Sequence, residues 1–291
     1  AGAHQAEWAV ATTCGTTLAP GASCEVRTLW TPSAVGAQTV TVHVPGASLL
    51  GTLDLEHTIS AAIDTGPPNV VQPPVPPVFV DDRAAVLRTP PYSDTDSGVG
   101  GLDARERVAS ASAPALSPWI YPSSWQNLRS SGAPVILRRL VPGQLLCSSF
   151  RAHDRAGNTS GWTATRCTSL VWDDAVLREG VGSWDMGAGS SSQYHGSTWH
   201  RSTVRGATLV GPSVRARRVA VLVTTCPTCG SLDVYIGSTR LGTISTRSAA
   251  VKHRVLLQLP VRSVPALGRL RLVVHSSGLR VIVDGVGARI A

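Results

Sequence analysis

The sequence predicts an all-β protein built from tandem β-sandwich domains. Apolar and polar residues alternate with a period of two in short segments, most clearly between Leu145 and Arg151. Turns containing glycine or proline separate these segments, and none of them carries the longer period of an amphipathic helix. Paired cysteines flank several of the predicted turns. Together these observations favour stacked antiparallel sheets over a helical architecture.

The six cysteines form three local pairs, each flanking a predicted turn. Facing residues of an antiparallel hairpin have residue numbers with a constant sum, so each pair defines the centre of its hairpin. The three centres fall on Ala19, on Gly157 and between Pro227 and Thr228, always inside a turn sequence. The predicted disulfides are Cys14–Cys24, Cys147–Cys167 and Cys226–Cys229. Disulfides form in oxidising compartments, so we expect an extracellular or cell-surface protein.

At 291 residues the chain is long enough for two or three domains, and its 43% apolar content supports packed cores. We predict the C-terminal part of a first sandwich at 1–66, a linker at 67–80, a second sandwich at 81–172 and a third at 173–291. The prolines of the linker lock backbone angles and lack N–H donors, which predicts a semi-rigid spacer. No apolar run approaches the roughly 18 residues that a membrane span needs. The first residue is not Met, and we expect that the chain begins inside a domain.

The second sandwich is defined by the hairpin at 140–167, LVPGQLLCSSFRAHDRAGNTSGWTATRC. Asp154 and either Gly157 or Asn158 provide its turn, because Asp accepts backbone N–H groups and Gly or Asn tolerates a positive φ. This stretch resembles the penultimate strand of a fibronectin type III domain. The matching residues are Leu140, Pro142, Gly143, Phe150, Ala152 and Asp154. The resemblance extends over 81–172 and implies an immunoglobulin-like sandwich of the kind found in secreted actinobacterial proteins.

The N-terminal stretch CGTTLAPGASCEVRTLWTPSAVG resembles the C-terminal half of a choice-of-anchor D domain. That family is a bacterial relative of the abnormal-spindle/hydin immunoglobulin-like fold. The matching residues are Leu18, Pro20, Gly21, Cys24, Trp30, Pro32 and Gly36. The resemblance implies a truncated immunoglobulin-like sandwich at 1–66.

The C-terminal 115 or so residues predict at least seven short strands separated by Gly, Pro or Ser. The predicted strands are 207–210, 217–225, 231–236, 240–245, 252–259, 269–275 and 279–284. Their layout resembles the jelly-roll of galactose-binding-like and carbohydrate-binding modules. A characteristic last strand is matched by Val281, Val283, Asp284 and Gly285. The resemblance implies a jelly-roll-like sandwich that binds a ligand.

Charge is distributed unevenly along the chain. From Val181 onward, fourteen Arg and Lys residues face three Asp, a net charge of +11, whereas the remainder carries a net charge of −3. Outside a cell such a basic domain attracts anionic polymers at long range. We expect cell-wall or extracellular polysaccharide as its partner, with anionic polymers included, and no specific nucleic acid.

The sequence predicts no metal, cofactor or catalytic residue. A single Cys-x₂-Cys without a second pair or a βαβ context favours a disulfide over zinc or redox chemistry. His195 and His200 are five apart, which places them on opposite faces of a strand. Asp94, Asp96 and Gly98 begin like a calcium loop, but its later acidic ligand is missing. Three Asp and no Glu from Val181 onward, with no nucleophile elbow or phosphate loop, do not suggest an enzyme.

Aromatic residues cluster where the basic domain begins, and the candidate ligand-binding residues are Trp184, Tyr194 and Trp199. The same residue types also serve as core residues of sandwiches. We therefore expect a non-catalytic extracellular protein whose terminal sandwich binds glycans. Two alternatives stay open: a structural stalk or adhesin that makes protein contacts, and the accessory tail of a secreted enzyme whose catalytic domain lies upstream.

Overall fold

The computed structural model describes residues 5–31, 36–48, 51–81, 84–128 and 135–290. In these ranges regular structure consists of β-strands and four one-turn 3₁₀ helices, which confirms the predicted all-β class. The first strands are β1 (Trp8–Thr12), β2 (Val26–Trp30), β3 (Gly36–Ser48), β4 (Gly51–Ile63), β5 (Asn69–Val70), β6 (Phe79–Val80), β7 (Ala84–Arg88), β8 (Tyr92–Ser93), β9 (Val99–Ser110), β10 (Val135–Arg139), β11 (Gln144–Asp154) and β12 (Arg166–Leu170).

The remaining strands are β13 (Trp172–Asp173), β14 (Arg178–Glu179), β15 (Asp185–Ala188), β16 (Thr198–Ser202), β17 (Thr208–Ala216), β18 (Arg218–Thr225), β19 (Ser231–Ile236), β20 (Thr239–Ser245), β21 (Lys252–Gln258), β22 (Ala266–Val274) and β23 (Val281–Arg289). The 3₁₀ helices are Gln5–Glu7, Ser123–Trp125, Asp174–Val176 and His195–Ser197. Within the described ranges, no helix has the length and apolar character that crossing a membrane would require.

The chain separates into two compact units. One consists of Ala1–Val70, Tyr92–Leu102 and Arg151–Gly161, and the other consists of Val71–Pro91, Asp103–Phe150 and Trp162–Ala291. The domain boundaries that the sequence predicts stay predictions.

The first unit contains the antiparallel pairs β1–β2, β3–β4 and β5–β8. Trp8 and Trp30 are cross-strand partners, and their rings stack with centroids 5.5 Å apart. The predicted Cys14–Cys24 disulfide closes the same hairpin. Pro32, one of the residues in the N-terminal family match, lies outside the described residues.

The region 81–172 contains strands of the sheet β6-β12-β11-β9 and the pair β10–β7. Cys147 and Cys167 face each other in register and form a disulfide, as the position of the turn predicts. In β11 both the even-numbered and the odd-numbered residues from Leu145 to Phe150 are buried. A strand with one exposed face would alternate, so this strand is covered on both sides.

Part of the proline-rich segment is hydrogen-bonded to the edge of this sheet. Thr168 donates a hydrogen bond to the carbonyl of Pro77, and Arg166 donates to that of Pro73. Phe79 and Val80 then pair with β12 as a parallel edge strand. Proline offers carbonyl acceptors without needing N–H partners, which suits an edge position.

The terminal sandwich consists of two sheets, with the orders β15-β16-β23-β18-β21 and β14-β17-β22-β19-β20. β13 adds to the first sheet through its pairing with β23. Apolar side chains of both sheets form one core, including Leu209, Val221, Leu232 and Leu272. β23 extends five residues beyond the predicted end at 284. Gly285 and Gly287 have low strand propensity, so the composition of this segment does not indicate a strand. The Cys226–Cys229 disulfide closes the turn between β18 and β19.

Candidate functional site

The three predicted aromatic residues have different positions in the terminal sandwich. Trp184 is 7% exposed and belongs to the core between the sheets. Its ring faces therefore contact protein, and it does not form part of the surface described below. Tyr194 and Trp199 are half-buried and lie together, with ring centroids 6.3 Å apart.

The sequence did not single out His253, which completes this aromatic cluster. Its imidazole meets the ring of Tyr194 edge-on, with centroids 5.1 Å apart. The Nδ1 atom of His253 lies 3.1 Å from the hydroxyl oxygen of Thr224. We call Tyr194, Trp199 and His253 the aromatic platform. Tyr194 and Trp199 are half-buried, and neither lines the cavities of about 410 and 680 Å³ found elsewhere in the unit.

Trp199 lies in β16 opposite Gly187 of β15. Any Cβ atom at position 187 would meet the indole of Trp199, so glycine leaves the space in which the ring lies across the neighbouring strand. Arg201, two residues further along β16, places its guanidinium carbon 5.4 Å from the Trp199 ring centroid. Asp185 accepts a 2.8 Å hydrogen bond from the same guanidinium group. These contacts fix the orientation of the indole.

A β-bulge brings His253 and Arg254 to the platform. The register of β18 and β21 shifts between Val223 and Thr225, so that β21 carries one extra residue: His253 and Arg254 together lie opposite Thr224. Arg254 has a positive φ of 52°, which is uncommon for a non-glycine residue. It forms an ion pair with Asp81, with an Nη2 to Oδ2 distance of 2.7 Å. Bulges often redirect side chains next to functional sites.

Arg254 also holds the loop that precedes Tyr194. Its Nη1 atom donates a 3.0 Å hydrogen bond to the carbonyl of Ser191. Ser197, on the other side of Tyr194, has a positive φ of 69°. Strained backbone of this kind is maintained only where the surroundings fix it, and it is concentrated at functional sites.

A layer of buried polar groups lies beneath the platform. His200 and Asp174 are 3% and 1% exposed, and their Nδ1 and Oδ2 atoms are 2.6 Å apart. Thr198 donates to Asp174 at 2.7 Å and also lies 3.2 Å from Asp173. His195 and His200 were predicted to lie on opposite faces of one strand. Instead His195 is in a 3₁₀ turn, and only His200 is in β16.

Asp284 lies at a second bulge, where the register of β18 and β23 shifts. Its Oδ1 atom accepts the backbone N–H of His195 at 2.8 Å, and its Oδ2 atom has no partner among the described residues. Burial raises the pKa of Asp284 to about 8, and the nearby charge of Asp174 adds to this effect. The hydrogen bond from His195 acts in the opposite direction. The carboxyl group is therefore largely neutral at pH 7.

In the sequence, Asp284 stood out only as part of a family-like strand, and Asp173 and Asp174 did not stand out at all. Single bulges leave no clear trace in composition, and the residues involved are far apart along the chain. The periodic pattern therefore predicted the strands but not the side chains that meet across them.

One group of carboxylates in the first unit has the composition of a cation site. One oxygen each of Asp64, Asp94 and Asp154 lies within 4.8 Å of the others. The sequence had suggested Asp94 with Asp96, but Asp96 is not in the group. A hydrogen bond from Ser97 lowers the pKa of Asp64, although burial opposes it.

Protein donors already satisfy these carboxylates. The Asp94 carboxylate accepts the N–H of Gly98 at 2.8 Å, and Asn158 donates to both oxygens of Asp154. Ser97 donates to Asp64 at 2.6 Å. The hydrogen bonds account for the cluster without an ion, and no metal site is assigned.

No protein-family model matches the chain, and no curated protein matches it. Among solved structures, the chain is similar to the Agl-KA catalytic domain, with 13% identity, a TM-score of 0.32, and coverage of 42% of this chain and 27% of that one. A carbohydrate-binding module of the β-sandwich superfamily gives 13% identity and a TM-score of 0.35, covering 77% of this chain and 99% of that one. A Paenibacillus xanthan lyase gives 12% identity and a TM-score of 0.30, covering 87% of this chain and 25% of that one. The chain thus spans about a quarter of the length of the two enzyme structures. At these scores the likeness carries no information about a ligand.

Proposed function

We propose that the terminal sandwich is a non-catalytic glycan-binding module of an extracellular or cell-surface protein. The observation that carries this proposal is the half-exposed pair Tyr194 and Trp199, held at the surface beside His253. A pyranose ring has an apolar C–H face that packs on aromatic rings, while its hydroxyl groups need polar partners. The imidazole of His253, within the platform, supplies such a polar group.

The platform is held in place before a ligand arrives, which lowers the entropy lost on binding. Gly187 gives the indole of Trp199 its space, and Arg254 fixes the loop before Tyr194. Half-exposed rings that line neither of the two cavities suit a polysaccharide chain lying across the surface better than a single sugar enclosed in a pocket.

A binding role is favoured over catalysis by the position of the buried polar layer. The Asp174–His200 pair has the short distance of a catalytic dyad, but both side chains are at most 3% exposed. A general base must come within hydrogen-bond distance of its substrate. This pair is covered by the protein and serves to position β16.

An extracellular location is supported by the cysteines, all six of which are in disulfides. The net charge of +11 from Val181 onward adds long-range attraction to anionic cell-wall or extracellular polymers. Such attraction weakens with salt, whereas ring stacking does not. Salt therefore separates the two contributions.

The proposal is tested by co-sedimentation of the full chain with insoluble cell wall, cellulose, xylan and chitin, at about 50 and about 500 mM NaCl. We expect binding that persists at the higher salt and is weakened at least about tenfold by Y194A/W199A. The matched control is Tyr235→Ala, which removes a half-buried aromatic ring from the opposite sheet.

Equal binding by the wild type and Y194A/W199A would exclude the aromatic platform as the site. Binding that disappears at high salt in every variant would leave an electrostatic anchor without a shaped site. Absence of binding to every polysaccharide would overturn the glycan proposal and leave the stalk or adhesin as the function to pursue.

A further inference from the structure

A ladder of alternating aromatic and arginine side chains lies along one face of β9. Arg105 and Arg107 are two residues apart in this strand and therefore share a face. The guanidinium carbon of Arg105 lies 4.1 Å from the ring centroid of Trp119 and 4.0 Å from that of Trp162. That of Arg107 lies 4.6 Å from Trp119. Arg105 is thus held between two indoles, and one of them also contacts Arg107.

Backbone pairing next to β9 explains why these side chains meet. Glu106 and Ile120 form an antiparallel bridge, with N–H to carbonyl distances of 2.9 and 2.7 Å. This antiparallel register places Trp119 beside Arg107 and Tyr121 beside Arg105. Tyr121 is 51% exposed and contacts Trp162 edge-on, with ring centroids 5.9 Å apart. The ladder is therefore bordered by an exposed tyrosine.

The two arginines have no ion-pair partner in the part of the chain that the structure describes. No described residue forms an ion pair or hydrogen bond with Arg105 or Arg107, and their Nε atoms are buried without a partner. Glu106, which lies between them, is on the opposite face and pairs with Arg138 at 2.9 Å. Among the described residues, each guanidinium group thus lies against indole rings without an ion-pair partner.

When a guanidinium group stacks on indole rings, its N–H bonds lie in its own plane and point away from the ring faces. Such edges match the paired oxygens of carboxylate and sulfate groups. The strand sets the two arginines roughly 7 Å apart, and stacking has already removed much of their rotamer freedom. The exposed ring of Tyr121 offers a stacking surface beside them.

We propose that this arginine–tryptophan ladder binds the anionic groups of an acidic polysaccharide, either carboxylates or sulfates. The repeated arginines suit a polymer with repeated charges, and the adjacent tyrosine suits a sugar ring. This site is separate from the aromatic platform of the terminal sandwich and does not depend on the function proposed for it.

The test measures binding of the full chain to immobilised oligogalacturonate, heparin oligosaccharide, neutral dextran and single-stranded DNA at about 150 mM NaCl. The decisive variant is R105Q/R107Q. Because the basic terminal domain attracts any polyanion, the control is R88Q/R139Q, which removes two exposed arginines from β7 and β10 and changes the net charge equally. Thermal unfolding of each variant confirms that it is folded.

We expect R105Q/R107Q to weaken binding to the acidic oligosaccharides about tenfold, and R88Q/R139Q to change it less than about threefold. Preference for oligogalacturonate or for heparin identifies the anionic group. If R105Q/R107Q does not fold, R105K/R107K retains charge and the contact with the indoles. Loss of the planar N–H edges should then weaken binding severalfold.

Equal effects of the two double glutamine variants would overturn the proposal, because they would indicate net charge alone. So would full affinity in R105K/R107K, or tighter binding to DNA than to either acidic oligosaccharide. Y194A/W199A should leave binding at the ladder intact, which keeps the two proposals distinguishable.

Discussion

Asp284 has a carboxyl group whose ionisation is unfavourable in the folded protein. It is fully buried, and its pKa of about 8 compares with an ordinary value of about 4. Below about pH 4 the group is neutral in both folded and unfolded chains. Between about pH 4 and about pH 8 only the unfolded chain ionises, so this residue makes the protein progressively less stable as the pH rises.

We predict that Asp284→Asn flattens the pH dependence of stability. Asn keeps an oxygen to accept the N–H of His195 but cannot ionise, and the effect removed is on the order of 5 kcal/mol at pH 8. The measurement is thermal unfolding at about pH 5, 7 and 9. Asp185→Asn, at an exposed carboxylate, is the control. Parallel profiles for wild type and Asp284→Asn would show that another group is responsible.

At the scale of elements, the short loop between β15 and β16 decides where Tyr194 and Trp199 lie. Gly196 has a φ of 65°, and a Cβ atom there would overlap the carboxylate of Asp173. Asp173 in turn lies within reach of Thr198 at the start of β16. The strands predicted from the sequence for the terminal sandwich begin at 207, so neither β15 nor β16 was among them, and nothing in the sequence shows that Gly196 is pressed against an acid.

We predict that Gly196→Ala destabilises the protein by roughly 2–4 kcal/mol and weakens glycan binding as well. The control is Gly206→Ala, which has a φ of 83° but open space around the added methyl group. It should cost only about 1–2 kcal/mol and leave binding unchanged. Chemical denaturation and the co-sedimentation assay measure the two effects. A similar loss in both variants would mean that the contact with Asp173 is unimportant.

At the scale of the whole molecule, the disulfides differ in how deeply their cysteines are buried. Cys147 is fully buried and packs with Ala109 and Leu145, whereas Cys14 and Cys24 are only half-buried. The loops they close span 20 and 10 residues, so loop entropy alone predicts about 3 kcal/mol for each. The difference in burial should therefore decide which disulfide contributes more to the free energy of unfolding.

We predict that C147A/C167A lowers the free energy of unfolding by more than C14A/C24A does. C147A/C167A loses the packing of the buried Cys147 in addition to about 3 kcal/mol from the loop-entropy model. Urea denaturation followed by tryptophan fluorescence and circular dichroism makes the comparison. A larger loss in C14A/C24A would show that the N-terminal hairpin contributes more to the whole molecule than its exposure suggests.

Several features of this protein are determined by short-range pattern. Alternation and turn residues predict the all-β class. All three disulfides are predicted because the midpoint between the two cysteines of each pair falls inside a turn. In both cases neighbours along the chain are also neighbours in space. The aromatic segment around Tyr194 and Trp199 was visible for the same reason.

Only the tertiary structure decided which residues face solvent and which meet across strands. Trp184 and Trp199 are alike in sequence, but the first is in the core and the second lies over Gly187 at the surface. His253, Asp284 and the Arg105 ladder depend on bulges and bridges between distant segments. A one-residue register shift changes where a side chain points but leaves the alternating pattern almost unchanged, so such contacts are fixed by packing across the whole sheet.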